Sequence, residues 1–253
     1  MENEIFERDY TVRGYEINKK GHLRLLTLFN LFQDVADTHA ALLGVGYDAC
    51  LAKKVGWVGG SYSVQINRFP AWEEHIRMKT WPAGKTLLTG IRDFSLVNDK
   101  NEELVTASSQ WIMVDLEKGR PVVIKKYFPE FETIFKDLGH KVPNPLKSVQ
   151  DFNTDDFEKK FFVRYDDIDI NNHVNNAVYP VWASESVPYD FRENHDIEKV
   201  EVCFKKPARY GDVILVHTKT EGLKTRHKIV DAQDDTKEFS LVEIVWREKE
   251  KTV

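Results

Sequence analysis

The chain has 253 residues, 42% of them hydrophobic and 12% aromatic, with a formal net charge of -5. That describes a folded globular protein with room for one large core or two modest ones, and it argues against broad nucleic-acid binding. No apolar run reaches the ~18–20 residues that a membrane span requires, the two cysteines make no disulfide framework, and the acidic start lacks a signal-peptide core, so a cytoplasmic location is expected.

In chain order, Tyr10–Tyr15 reads as a strand, and Lys19, Lys20 and Gly21 as a turn. Leu25, Leu28, Phe29, Phe32, Val35, Ala36, His39, Leu42 and Leu43 keep a three-four spacing. That spacing predicts a strongly amphipathic helix, closed by Gly44 and Gly46. His39 lies near the apolar stripe and is expected to be a hydrogen-bonded packing residue, not a ligand. Four strands are predicted next, over Val55–Phe69, Glu74–Trp81, Thr86–Asn98 and Leu104–Val114. Turn signals at Pro70, Pro82-Ala83-Gly84 and Asn98–Asn101 separate them. One helix followed by long antiparallel strands is an α+β pattern. From Asp115 the pattern weakens. A short helix is expected at Phe128–Leu138, and residues 128–160 read as a connection between two domains, 1–127 and 161–253.

The second half repeats the first. Val12, Arg13, Ile17 and His22 align without a gap on Val163, Arg164, Ile168 and His173, an offset of 151 residues. Val64, Ile66, Arg68, Trp72, Glu74, Ile76 and Thr80 align on Val202, Phe204, Lys206, Tyr210, Asp212, Ile214 and Thr218 at an offset of 138. Two copies of one α+β unit follow, the second shorter between helix and strand. Its strands are predicted at Lys199–Lys206, Asp212–Thr220, Lys224–Asp231 and Glu238–Arg247, and its helix from Val174 until Pro188 stops it.

Between a strand around Phe161–Tyr165 and that helix lie Asp166, Asp167, Asp169, Asn171, Asn172 and His173. Asp and Asn before a helix ordinarily cap it, but one cap needs one side chain. Asp169, Asn171 and His173 together place a carboxylate, an amide and an imidazole before a helix N-terminus. That suits a reaction in which negative charge develops on oxygen. Only the second copy holds all three, because Asn18 and Lys20 stand opposite Asp169 and Asn171.

Asp169, Asn171, His173, Val174, Asn175, Asn176, Tyr179, Trp182 and Glu185 resemble the signature of acyl-acyl carrier protein thioesterases. Val12-Arg13-x-Tyr15-Glu16-Ile17 and Leu31-Phe32-Gln33-Asp34 resemble that family's opening strand and helix. The resemblance implies a tandem (double) hotdog, each unit a curved antiparallel sheet around a central helix. It implies hydrolysis of acyl carrier protein thioesters, without cofactor or metal, by Asp169, Asn171 and His173 with a further glutamate. On that resemblance Asp169 is expected to act as base or nucleophile, Asn171 to hold the thioester carbonyl, and His173 to orient water or protonate the leaving thiolate. The plant members carry the glutamate in an Arg-Arg-Glu-Cys run. Here the run is Lys205-Lys206-Pro207-Ala208, so the position is Pro207, and Glu185 is the carboxylate expected in its place. The first copy is expected to hold the acyl chain.

The partner implied is an acidic acyl carrier protein, with Lys205, Lys206 and Arg209, or Lys118, Arg120, Lys125 and Lys126, as the basic docking face; a homodimer stays open. The alternatives are an acyl-CoA thioesterase, a hotdog dehydratase, or a module that binds acyl thioesters without turning them over. Gly59-Gly60-Ser61-Tyr62-Ser63 lacks the last glycine of a nucleophile elbow, and no zinc or phosphate-loop motif is present.

Overall fold

A computed structural model describes residues 5–132, 134, 149–153 and 155–249. The chain divides into two compact units, Met1–Leu146 and Lys147–Val253. The first contains β1 (Phe6–Thr11), α1 (Leu25–Leu42), α2 (Tyr47–Ala52), β2 (Val55–Ile66), β3 (His75–Lys85), β4 (Thr89–Asn98), β5 (Glu103–Asp115) and the two-residue β6 (Arg120–Pro121). The second contains β7 (Phe157–Phe162), α3 (Val178–Ser186), α4 (Tyr189–Asn194), β8 (His195–Phe204), β9 (Val213–Glu221), β10 (Lys224–Asp231) and β11 (Asp234–Glu248).

Within the first unit the antiparallel strand order is β1-β3-β4-β5-β2, with β6 against β5. Within the second it is β7-β9-β10-β11-β8. Counted within each unit, both sheets run first, third, fourth, fifth, second, which is the duplication predicted by the two offsets. The hydrogen bonds repeat as well. Leu23 N donates to Pro70 O at 2.8 Å, and Val174 N to Ala208 O at 2.9 Å. That one bond joins the 151 offset to the 138 offset.

Helix α1 forms because its stripe has a sheet face to bury against. Leu28, Phe32 and Val35 are wholly buried. The Phe32 ring lies 4.9 Å from Phe94 of β4, and Phe29 lies 5.4 Å from Tyr62 of β2. Each such side chain contributes about 1.5–3 kcal/mol. In the second unit Tyr179 and Trp182 of α3 take that place, edge to face at 5.4 Å, with Phe204 of β8 against Tyr179 at 5.6 Å.

Several boundaries differ from expectation. Helix α3 starts at Val178, not Val174, because the backbone before it is used elsewhere: Val174 N bonds Ala208 O, and Asn175 N bonds Asp167 O at 2.8 Å. Pro82-Ala83-Gly84 does not end β3. A register shift between Pro82 and Gly84 carries the strand through to Lys85, since a bulge tolerates a residue without a ladder donor. Of the helix expected at Phe128–Leu138, the described part is a short 3-10 turn, Pro129–Glu132. Phe128 and Phe131 pack with Val45, Val55 and Met113 in the first unit. Residues 133, 135–148 and 154 of the expected connection lie outside the described residues.

A buried polar network crosses the second unit's core. His227 is fully buried. Its Nδ1 lies 3.1 Å from Ser186 Oγ and 3.0 Å from Thr218 Oγ1, and its Nε2 lies 2.8 Å from Thr225 Oγ1, which also accepts Trp246 Nε1–H at 2.9 Å. No carboxylate is among these partners, so burial alone pushes the imidazole down to about 3. The folded pKa lies below the unfolded one. The stability gained by keeping His227 neutral is therefore full above ~6.5 and is lost as pH falls from there through about 3. Urea midpoints should decline between pH 6.5 and 4.5, above the range where carboxylates dominate. The slope should approach ~1.4 kcal/mol per pH unit. His227→Gln, which lacks the titrating group, should flatten that window; an unchanged slope would assign the loss to other groups.

Candidate active site

Past β7 the chain enters a 3-10 turn, Tyr165–Asp167. Asp167 is buried and anchors it. Arg164 N donates to its Oδ2 at 2.9 Å, and the Arg164 guanidinium donates to its Oδ1 at 2.6 Å. Ile168 then bridges to Val174, which pinches off the five residues Asp169–His173. Within them Asp169 N donates to His173 O at 2.8 Å and Asn172 N to Asp169 O at 3.1 Å. Asp169 Oδ1 accepts the backbone N–H of Asn171 at 2.8 Å and of His173 at 3.4 Å. Asp169 Oδ2 lies 3.4 Å from Asn171 Nδ2. Asn172 takes a left-handed φ of 58°, a conformation that Asn tolerates.

The first copy makes the same turn with different chemistry. Arg13 pairs with Glu16, 2.6 Å between Nη2 and Oε1, and Ile17 bridges to Leu23. Asn18 Oδ1 accepts Lys20 N at 2.8 Å and His22 N at 3.2 Å, and Gly21 sits at φ 77° where Asn172 stands in the second copy. The backbone therefore needs only a side-chain acceptor at this position, and an amide serves as well as a carboxylate. What the second copy adds is a negative charge at 169 and an amide donor at 171.

Three of the four expected site residues thus come together on one turn. Asn171 is exposed, and Asp169 and His173 are half-buried, so a substrate can reach them. Burial first, and then the Arg209 guanidinium, pull His173 below its ordinary value of 6.5, with Asp169 acting the other way. The imidazole is neutral at pH 7 and can accept a proton.

Glu185 is not brought to this turn. It lies in the last turn of α3, eight residues beyond Ala177, which is about 12 Å along the helix axis. Its carboxylate pairs with Arg192 of α4. Tyr179 has a role the sequence did not expose: its hydroxyl accepts the backbone N–H of Ala208 at 2.9 Å. Because the Ala208 carbonyl accepts Val174 N–H, Tyr179 ties the Lys205–Ala208 run to the helix and the run to the turn. Pro207, next to that anchor, is exposed and carries no acid.

Among the described residues one group has donor atoms close enough for a metal ion, Asp155, Glu158 and His217, within 4.8 Å of one another. Glu158 and His217 are cross-strand partners on β7 and β9, and His217 Nδ1 lies 3.2 Å from Asp155 and 3.1 Å from Glu158. None of the three belongs to the turn. A cleft opens in the first unit, with Val45, Trp57, Ile91, Trp111 and Phe131 on its walls and Asp37 and Arg92 as its charged groups.

Residues 3–131 match the family model of the acyl-ACP thioesterase N-terminal domain, and residues 151–248 that of the C-terminal domain. An acyl-[acyl-carrier-protein] hydrolase of Cuphea viscosissima is 26% identical over 97% of this chain and 63% of its own length. A palmitoyl-acyl carrier protein thioesterase of Arabidopsis thaliana is 28% identical over 86% of this chain and 56% of its own. Both are named as chloroplastic. Among solved structures, a 12:0-ACP thioesterase from Umbellularia californica superposes with a TM-score of 0.88 at 23% identity, covering 98% of this chain and 99% of that one. An acyl-ACP thioesterase from Bacteroides thetaiotaomicron gives 0.87 at 18%, covering 97% and 99%. These likenesses establish the fold as α+β, two hotdog units in tandem. The chain spans 63% and 53% of the first two curated relatives that it matches.

Proposed function

The chain belongs to the acyl-ACP thioesterase family, and from that premise we propose that it hydrolyses acyl-acyl carrier protein thioesters to free fatty acid, ending chain elongation. The observation that carries the proposal is the pair of turns. The same backbone appears twice, and only the second copy equips it with Asp169 and Asn171.

In the proposed reaction the nucleophile, water itself or the Asp169 carboxylate, adds to the thioester carbonyl, the C–S bond breaks, and the thiolate leaves with a proton; where Asp169 adds, water then cleaves the acyl–Asp169 anhydride and restores the carboxylate. Asn171 Nδ2 donates to the oxygen on which charge develops. Asp169 serves as base or nucleophile through Oδ2, since Oδ1 is already engaged by two backbone N–H groups. The neutral His173 relays the proton to sulfur. We assign Glu185 to positioning, as the anchor between α3 and α4 through Arg192. The 1–127 unit is proposed to hold the acyl chain, in the cleft described above, and the 161–253 unit to carry the chemistry. Product analysis with matched acyl chains on carrier protein and on CoA tests the reading. Release of fatty acid from the carrier-bound chain supports it; turnover of CoA esters alone, or binding without release, replaces it with one of the alternatives.

The proposed carrier dock is the basic run beside the turn. Lys205 is paired with Glu238, whereas Lys206 and Arg209 are exposed. Arg209 also acts on His173, so Lys206 is the cleaner probe. Lys206→Glu should lower kcat/KM for carrier-bound substrate roughly 10-fold at low salt, the low end of steering effects. The loss should shrink at high salt, and short pantetheine esters should be spared. No change on the carrier-bound substrate would move the dock to the Lys118–Lys126 side.

A further inference from the structure

The cleft of the first unit is not a plain hydrocarbon slot. Its walls are apolar, but Arg92 of β4 projects into it. Arg92 Nη1 lies 3.0 Å from His39 Nδ1 and donates to Thr80 Oγ1 at 3.1 Å. His39, on α1, is itself wholly buried. Those two contacts use one end of the guanidinium. Among the described residues its Nε and Nη2 have no hydrogen-bond partner, and a guanidinium carries five N–H donors in all. Tyr62 of β2 and then Asp37, one turn before Ala40 on the cleft side of α1, act electrostatically on Arg92, yet no ion pair joins Asp37 to it. Burial pushes the guanidinium down, to about 10, whereas Asp37 is an exposed residue of the cleft lining. The two groups face one cavity, a donor and an acceptor held apart.

An unbranched alkyl chain filling this cleft would expel water and leave those donors bare, which buried polar groups rarely are. A hydroxyl on the chain accepts from Arg92 and donates to Asp37, so it answers both. Resting on the reading that the first unit holds the acyl chain, we propose that the preferred substrates are acyl thioesters oxygenated along the chain, hydroxyacyl before oxoacyl before plain alkyl. An oxo group can satisfy only Arg92, which sets the order.

The test is a panel of carrier-bound chains of one length, plain, oxo or hydroxylated at successive carbons, assayed as kcat/KM. A hydroxyl at one favoured position should raise kcat/KM roughly 10- to 100-fold over the plain chain, the range for a hydrogen bond to a charged group. Arg92→Met should erase the preference, and Asp37→Asn should narrow the gap between hydroxyl and oxo. Should Arg92→Met fail to fold, the wild-type panel and Asp37→Asn still decide. Equal or lower rates for every oxygenated chain would overturn the proposal. Ile91→Trp, which narrows the cleft, separates this from the reading beneath it. If it shifts the plain-chain optimum to shorter lengths, the first unit holds the chain and only the oxygen preference has failed. If it leaves the optimum in place, the acyl chain lies elsewhere and both fall.

Discussion

Asp169→Asn is expected to lower hydrolysis of carrier-bound acyl thioesters by about 10²–10⁴-fold, the contribution of a positioned acid-base group, while leaving the protein folded. In the first copy Asn18 occupies the equivalent place and accepts the same two backbone N–H groups, at 2.8 and 3.2 Å. An amide at 169 therefore keeps the turn and removes only the charge. Steady-state kcat and the thermal midpoint, measured on the same preparation, check both parts. Loss of activity with an unchanged midpoint supports chemistry at Asp169. Wild-type kcat would show that Asp169 is a turn former like Asn18 and nothing more.

Asn171→Ala is expected to cost about 10²–10³ in kcat, the scale of one lost oxyanion donor. The turn should again survive, because the shorter of the two contacts that Asn171 makes to Asp169 uses its backbone N–H, 2.8 Å from Oδ1, and the variant loses only the 3.4 Å contact of Nδ2 with Oδ2. Asn171→Lys reproduces the residue of the first copy. If Asn171 acts through its amide, kcat should fall in both variants with little change in KM. A rise in KM alone would make Asn171 a binding group for the ground state.

The fold was legible because a duplication shows itself twice. The offsets of 151 and 138 each marked a segment that the structure uses in the same way in both units, down to the bond from Leu23 to Pro70 and its counterpart from Val174 to Ala208. Helix α1 was legible from its stripe alone, whereas α2 and α4, six residues each, are too short for periodicity to mark. The start of α3 was misplaced because Val174 and Asn175 have helical spacing but give their N–H groups to Ala208 and Asp167.

Within the site, Asp169, Asn171 and His173 are close in sequence and had to share a turn, so their grouping could be foreseen. The place of Glu185 could not. Helical spacing fixes where it projects, but its partner, Arg192, comes from the next element. The Arg92 cluster was equally hidden, because His39, Thr80 and Arg92 come from α1, β3 and β4 and meet only when the unit folds.

The central claim is that this protein adds water across an acyl carrier protein thioester. The most direct measurement is mass analysis of the fatty acid released from carrier-bound substrate by the purified protein in ¹⁸O-water. Over many turnovers per protein molecule, the account predicts free fatty acid carrying one solvent oxygen in its carboxylate, released in step with free carrier thiol. A bound substrate that is never released, or an acyl chain recovered with no solvent oxygen in its carboxylate, would contradict it.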